Sequence, residues 1–422
     1  MSDKQIFAAL EVADHEVRLI VGEFFNTRFN VIKVERIPCF GLSYNKVTDP
    51  EAISKAIRTA ADNVSRMIGA DIRKVILAMP SYRMKRYSVK STVQIEGIDG
   101  VVTIQDVRNA ITKAEQMKIS KDYALIQTVC VRYSVNGIAT RRIPIGERCS
   151  SMEVDIDLLC ADRKMSYDLV MAVEKSGISV LDIFPDVYAC AKEAALFERA
   201  VNQQVLLFKM ERETTTLTLL KKGRINTSLI SPFGIGSIVA PVVEKYGIPA
   251  ETAVDLLKYS CRLDKEKFSK NPIHIWADGN QTRTINEQQL YDCVKDNITQ
   301  WLEAIEKTCK PILQGTPTAV MITGEGGEML GFAQLLGSRL GVECQSYIPE
   351  TLGARNAGLT SCLGLFYAYQ DKLPISGYID DSLDMDAFVK AVSYRAKRKS
   401  DSDTKEDTLT SKLKGLFLEG KM

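Results

Sequence analysis

The sequence predicts an α/β protein of two similar lobes, and three observations predict it. Three strands, a helix, a strand and a helix occur in that order twice, first from the N-terminus and again from residue 204. A stretch of different rhythm, residues 89–163, interrupts the first copy. A helical period returns at 409–422, beyond a charged stretch too polar to bury a core.

In the first copy, QIFAALEV, EVRLIVGEF and RFNVIKVERI read as consecutive strands, the first two joined by Ala13-Asp14-His15. Asp49-Pro50-Glu51 opens a helix, a capping side chain followed by proline at the first helical position. KVILAMP (74–80) is apolar enough for a strand buried on both faces. The interrupting unit holds a strand, a helix from Thr103 and a hairpin turning at Asn136-Gly137. A helix from about Ser166, the strand ISVLDIF and a helix from Asp186 complete the first lobe. The second copy has the strands QQVLLFKM, TTLTLLKKG and INTSLISP, then helices over 236–246 and 250–259. A long helix from Asn286 to Leu313 carries Leu290, Val294, Ile298, Trp301, Leu302 and Ile305 on its core stripe. TAVMITG is a strand ending in glycine, with a helix after it. The expected division is a first lobe core at 1–88 and 164–203, an α+β insertion at 89–163, and a second lobe core at 204–230 and 314–374. A second-lobe insertion at 231–313, a flexible linker at 375–408 and an amphipathic helix at 409–422 complete it.

Composition removes several function classes. The 422 residues are 45% hydrophobic and 26% charged, an ordinary globular balance, and a formal charge of +2 gives no reason to expect nucleic acid. Ten cysteines without a C-x-x-C pair point to neither a zinc site nor a disulfide framework. Two histidines leave no basis for a His triad or a His-rich metal site, so no catalytic residue and no metal ligand is assigned.

The duplicated lobe, a hairpin loop in each copy and the strand–glycine–helix of MITGEGGEMLGFAQLLGSRLG resemble the actin/Hsp70/sugar-kinase ATPases. The opening FAALEVADHEVRLIVGEF, the closing RNAGLTSCLGLFYA, the inserted α+β unit and the C-terminal helix narrow the resemblance to the FtsA family of bacterial cell division. It covers nearly the whole chain. It implies an actin-like fold of duplicated ribonuclease-H-like lobes, filament formation, and attachment of the tubulin-like protein FtsZ to the cytoplasmic face of the membrane at the division site.

The resemblance also implies ATP with magnesium, and here the residues depart from the pattern. Glu11-Val12-Ala13-Asp14-His15-Glu16 stands where the family has Asp-Ile-Gly-Thr-Ser-Lys. Lys209-Met210-Glu211-Arg212-Glu213-Thr214-Thr215-Thr216 stands for Asp-Ile-Gly-Gly-Gly-Thr-Thr-Asp, with Lys209 in place of the magnesium aspartate. Ala253-Val254 stands where the family has an Ala-Glu pair towards the ribose. Only the adenosine-side loop keeps its form, as Gly324-Glu325-Gly326-Gly327. Side chains on former glycines keep backbone N–H groups away from phosphate. A carboxylate about 5 Å from a phosphate charge costs roughly 3 kcal/mol at an effective dielectric near 20. Weak nucleotide contact is therefore assigned to Gly324, Gly326, Gly327, Lys209 and Arg212, and degenerate phosphate loops to Glu11, Ala13, Asp14, Glu211, Glu213, Thr214 and Thr215. Lys209 and Arg212 either hold phosphate or clasp the opposite loop and close the cleft without ligand. His15 is expected as an exposed turn residue, and the acidic cluster as a solvated surface.

Leu409, Leu413, Leu416 and Phe417 fall on one helical face flanked by Lys412 and Lys414, a pattern suited to an anionic membrane surface. Burying them gains roughly 6–8 kcal/mol before the cost of helix formation, so one copy binds weakly and a filament firmly. The family docks the FtsZ tail peptide on the second-lobe insertion. Asn297 stands there where an arginine is expected, with Asp292 and Asp296 beside it. The reading is a membrane-tethered, actin-like division adaptor without ATP hydrolysis, a pseudo-ATPase. The alternatives are a scaffold for another envelope machine, such as pilus assembly, and an unconventional ATPase.

Overall fold

The first strand serves both faces of its sheet. The computed structural model describes residues 4–391 except 27, 96–98, 315 and 378–379. β1 (Lys4–Val12) pairs antiparallel with β2 (Glu16–Phe25), which pairs with β3 (Arg28–Pro38). Ile6, Ala8 and Leu10 of β1 enter one core, while Phe7 and Ala9 enter another on the opposite face. After the short hairpin β4 (Leu42–Ser43) and β5 (Lys46–Val47), Asp49 caps α1 (Pro50–Ile68) by accepting from the Ala52 N–H at 3.0 Å. Gly69, at φ 81°, ends that helix in the left-handed conformation that glycine adopts without strain. β6 (Lys74–Met79) lies parallel to β1.

The inserted unit is a sheet with one helix on it. β7 (Lys85–Gln94), α2 (Ile104–Glu115), β8 (Tyr123–Val135), β9 (Ile138–Thr140) and β10 (Ser151–Asp162) form it, in the strand order β7-β10-β8-β9. Thr103 and Asp106 close a capping box at the start of α2. Asn136 and Gly137 both take positive φ, as a tight hairpin turn demands. The first lobe resumes with α3 (Arg163–Lys175), β11 (Ser179–Pro185) parallel to β6, α4 (Asp186–Glu193) and α5 (Leu196–Arg199). The α3 helix starts three residues before Ser166, because Asp162 caps it.

The second lobe repeats the plan. β12 (Gln204–Met210), β13 (Thr215–Lys221) and β14 (Arg224–Ser231) form the meander, followed by α6 (Ile235–Tyr246) and α7 (Ala250–Ser260). The stretch expected to be irregular contains a hairpin, β15 (Pro272–Asp278) and β16 (Gln281–Asn286), turned at Gly279. Then come α8 (Glu287–Leu313), β17 (Thr318–Thr323), a 3-10 turn at Glu325–Glu328, α9 (Phe332–Leu340) and β18 (Cys344–Ser346). A second 3-10 turn at Ala357–Leu359 leads into α10 (Thr360–Ser376). The two large sheets have the same spatial order, β3-β2-β1-β6-β11 and β14-β13-β12-β17-β18. One hydrophobic core spans both lobes, joining Phe7 and Ala9 to Val205 and Leu207 through α4 and α10. Trp301 is fully buried in the second-lobe core, as expected. Among the described residues no helix is long and apolar enough to cross a membrane.

The linker expected from residue 375 does not start there. α10 runs to Ser376, and residues 380–388 return to the first lobe. Ser382 accepts from Ala8 N–H through its hydroxyl at 2.9 Å, and its carbonyl accepts from Arg73 N–H at 2.8 Å. Leu383 is buried and bridges Ile72, while Met385, Ala387 and Phe388 pack on the first-lobe core. Backbone hydrogen bonds, which composition does not reveal, hold this segment. The membrane-binding residues Leu409, Lys412, Leu413, Lys414, Leu416 and Phe417 lie outside the described residues.

Candidate functional site

The two hairpin turns meet across the cleft between the lobes. Each is closed by its own backbone: Ala13 N–H donates to Glu16 O, and Glu211 N–H to Thr214 O, both at 2.9 Å. Glu11 and Arg18 are direct partners across the first hairpin, and an opposite-charge pair at that spacing is favourable. Arg18 is fully buried and reaches into both lobes. Its guanidinium donates to Glu16 at 2.6 Å, to Glu11 at 3.2 Å, to both oxygens of Glu211 at 3.1 and 2.7 Å, and to the Gly358 carbonyl at 2.7 Å. Arg36 covers Glu16 from outside at 2.8 and 2.7 Å.

Lys209 clasps the opposite loop, donating to Glu11 at 2.6 Å and to Asp186 at 2.8 Å. The second Asp186 oxygen accepts from Ser81 and from Val187 N–H. Arg212 turns to its own lobe, where it holds Glu325 at 2.7 and 2.9 Å and also Glu251. Asp14 accepts from Glu213 N–H at 2.7 Å, while the Glu213 carboxylate accepts from Ser43 and Tyr44 N–H. The cleft is thus sealed from one side to the other. Of the acidic cluster, Glu11, Asp14, Glu16 and Glu211 are buried and Glu213 is half-buried; His15 is buried too, 5% exposed, its Nδ1 lying 2.9 Å from Asp14. Both expectations of solvent exposure are corrected here, because the opposing loops cover one another.

Proton affinities follow the pairing. Burial alone would push Glu11 and Glu16 up, yet Lys209 and Arg18 hold Glu11 at about 2, and Arg18 and Arg36 hold Glu16 at about 2. Burial opposes the charge on Lys209 and Arg18, but the surrounding carboxylates hold both well above their usual values. For Glu211 burial prevails and its carboxyl is raised, against the pull of Arg18 and Lys209.

The residues present do not fit a nucleotide. The loop glycines make room for protein: a Cβ on Gly324 would lie 2.6 Å from the Met210 carbonyl, and one on Gly326 would collide with the Met210 side chain. Gly327 sits against Ile322. The N-terminus of α6, a natural phosphate site, has its N–H groups committed. Ile235 donates to Glu211 O at 2.9 Å and Gly236 to Arg212 O at 2.8 Å. The Thr215 hydroxyl donates to Phe233 O and accepts from Trp301, while Ala13 and Thr214 are buried. Eight carboxylates (Glu11, Asp14, Glu16, Asp186, Glu211, Glu213, Glu251, Glu325) meet four cations (Arg18, Arg36, Lys209, Arg212), an anionic excess that repels phosphate. Asp14, His15 and Glu211 bring ligand atoms within 4.8 Å of one another, but both Glu211 oxygens are taken by Arg18. Arg18, Arg36, Asp186 and Glu251 were not legible as site residues. The one available signal was an arginine between Val17 and the apolar run 19–21.

In the second-lobe insertion, Asn297 donates to the Ser237 carbonyl at 2.7 Å and so serves the joint between α6 and α8. Asp292 pairs with Lys295 at 3.1 Å.

Residues 82–160 match the family described as the SHS2 domain inserted in FtsA. The cell division protein FtsA of Bacillus subtilis is 22% identical over 371 residues, 86% of this chain and 83% of its own. Its counterpart in Escherichia coli K12 is 20% identical over 311 residues, 72% and 73% of the two chains. Among solved structures, a PilM–PilN type IV pilus biogenesis complex superposes with a TM-score of 0.57 at 13% identity, covering 86% of this chain and 98% of that one. MreB5 of Spiroplasma citri bound to ADP gives 0.50 at 12% identity, over 89% and 99%. With an actin-like fold, the inserted domain and these relatives, the chain is a divergent FtsA-like protein.

Proposed function

We propose that this chain is an actin-like adaptor of bacterial cell division whose cleft is a structural joint. In this reading it assembles into filaments, lies on the cytoplasmic face of the membrane through residues 409–422, and recruits FtsZ through its second-lobe insertion. It turns over no ATP. The observation that carries the last point is Arg18, one buried guanidinium bonded to Glu11 and Glu16 of one lobe and Glu211 of the other. Seating a triphosphate between the hairpins would break at least the Arg18–Glu211 and Lys209–Glu11 pairs. Opening a buried pair costs about 3–5 kcal/mol. Two such losses offset most or all of the roughly 8 kcal/mol that micromolar binding represents.

Calorimetry of the full chain with ATP and magnesium tests this reading. No heat is expected up to millimolar ATP, and micromolar binding would refute the joint. Sedimentation with phosphatidylglycerol vesicles and FtsZ tests the adaptor. The full chain is expected to carry FtsZ down and a chain ending at Thr408 to leave it in solution. Equal recovery in both would move the reading to a scaffold for another envelope machine.

A further inference from the structure

The chain passes between the lobes twice, outward through α4 and α5 and back through α10, so these helices are the covalent hinge. Ala195, between α4 and α5, has φ 50°, a left-handed conformation costly for a residue with a Cβ. Two residues before it, Glu193 ends α4. Its Oε2 is shut off from solvent and has no hydrogen-bond partner among the described residues. From the second lobe, the Tyr347 hydroxyl reaches across. It donates to the Glu193 backbone carbonyl at 2.9 Å and stands 3.4 Å from Oε1, so the better bond is spent on the backbone. Tyr347 is itself anchored in its lobe by its N–H on Ile322 O at 2.8 Å.

No cation faces this carboxyl among the described residues. On α4, Lys192 pairs instead with Asp371 and lies over the rings of Tyr188 and Phe197. On α10 the facing group is Tyr367, and on the second-lobe loop they are Tyr347, with Glu350 behind it. A half-buried carboxylate with one enclosed, orphan oxygen and no counter-charge is costly ionised and comfortable protonated.

We propose that Glu193 makes the junction between the lobes pH-responsive: protonated, it stays enclosed with the junction shut, and ionised, its unpartnered oxygen draws water in and loosens the junction at the Ala195 bend. Burial raises the Glu193 carboxyl from 4.5 to about 7, against the weak pull of Tyr347. A carboxyl raised on folding contributes its full stabilisation below its unfolded value, where it is protonated in both states. Its contribution is therefore lost as pH rises from about 4.5 to about 7 and is flat above that. Acidification from neutral pH tightens the hinge. With the cleft sealed by ion pairs, this gives the interlobe angle an input other than nucleotide.

The test is a titration of the full chain with its glutamate carboxyl carbons labelled for NMR, the resonance assigned by its loss in Glu193→Gln. The resonance is expected to titrate near pH 7, and a midpoint below 5.5 would overturn the proposal. Urea unfolding of both proteins supplies the second reading. Between pH 5.5 and 6.5 the unfolding constant of the native chain is expected to rise roughly tenfold relative to Glu193→Gln. Parallel pH profiles would overturn it as well. Amide exchange at 347–350, corrected for intrinsic rates, is expected to be faster at pH 8 than at pH 6, and equal protection would remove the hinge from the argument.

Discussion

Replacing Arg18 by methionine removes a guanidinium bonded to both hairpins, and the structure says which partners are left stranded. Glu11 keeps Lys209 at 2.6 Å, and Glu16 keeps Arg36 at 2.7 Å. Glu211 is left with Lys209 at 3.8 Å, and the Gly358 carbonyl loses its 2.7 Å donor. An uncompensated buried carboxylate costs about 3–5 kcal/mol and an orphaned carbonyl about 1–3 kcal/mol. Part of this is recovered when Glu211 takes up a proton, so a net loss of about 4 kcal/mol is expected. At a urea dependence near 3 kcal/mol per molar, that moves the unfolding midpoint down by roughly 1.3 M. The companion variant, Arg18→Met with Glu211→Leu, removes the stranded charge along with its cation. Every other carboxylate of the network keeps a partner, so the double variant is expected to be more stable than the single by about 2 kcal/mol or more. A single variant within 1 kcal/mol of the native chain, or a double variant no better than the single, would refute the account of the cleft.

Three further outcomes are expected. Glu11 and Glu16 are depressed to about 2, so their stabilisation is fully present above the ordinary carboxylate value of 4.5. It is lost as pH falls from 4.5 towards 2; circular dichroism following unfolding across that window checks this, and a midpoint in urea unchanged from pH 4.5 to 2.5 would contradict it. Gly364 of α10 lies so close to α4 that a Cβ would collide with the Ala189 carbonyl. Gly364→Ala is expected to cost about 3 kcal/mol, whereas a loss under 1 kcal/mol in urea unfolding would place the helices farther apart. Leu383→Ala is expected to cost about 2–3 kcal/mol locally and to expose residues 380–391 to protease, and native-like resistance would mean that the segment is held by its backbone alone.

Much of the fold could be read from residues acting near their neighbours in sequence. Asp49-Pro50 set a helix start, Asn136-Gly137 set a turn, and the unbroken apolar run of KVILAM set a strand buried on both faces. The β15–β16 hairpin carried its own signal at Asp278-Gly279, but its strands are mostly exposed and lack clean alternation. The cleft was half legible. Charged residues in place of glycines set both loops apart from a phosphate cradle, and the clasping role of Lys209 was one of two readings. The partners could not be read, because Arg18 and Glu211 are 193 residues apart and Arg212 and Glu325 are 113. No local pattern specifies such pairs. The segment 380–388 failed for a related reason. Its acidic, polar composition is that of a tether, while its attachment rests on Ser382 hydrogen bonds and a few apolar side chains.

That attachment changes the mechanics of any anchor beyond it. A leash running free from 375 to 408 would have 34 residues and an extended reach of at most roughly 115 Å. Counted from Ala391, whose side chain lies against Gly69 at the end of α1, only 17 residues precede Leu409, and the reach halves to about 60 Å. Tension on the C-terminus would then be passed to β1 and the start of β6, two inner strands of the first-lobe sheet, in shear along Ser382 and its partners. Under the proposed anchoring, every copy would be held by those same inner strands of its first lobe.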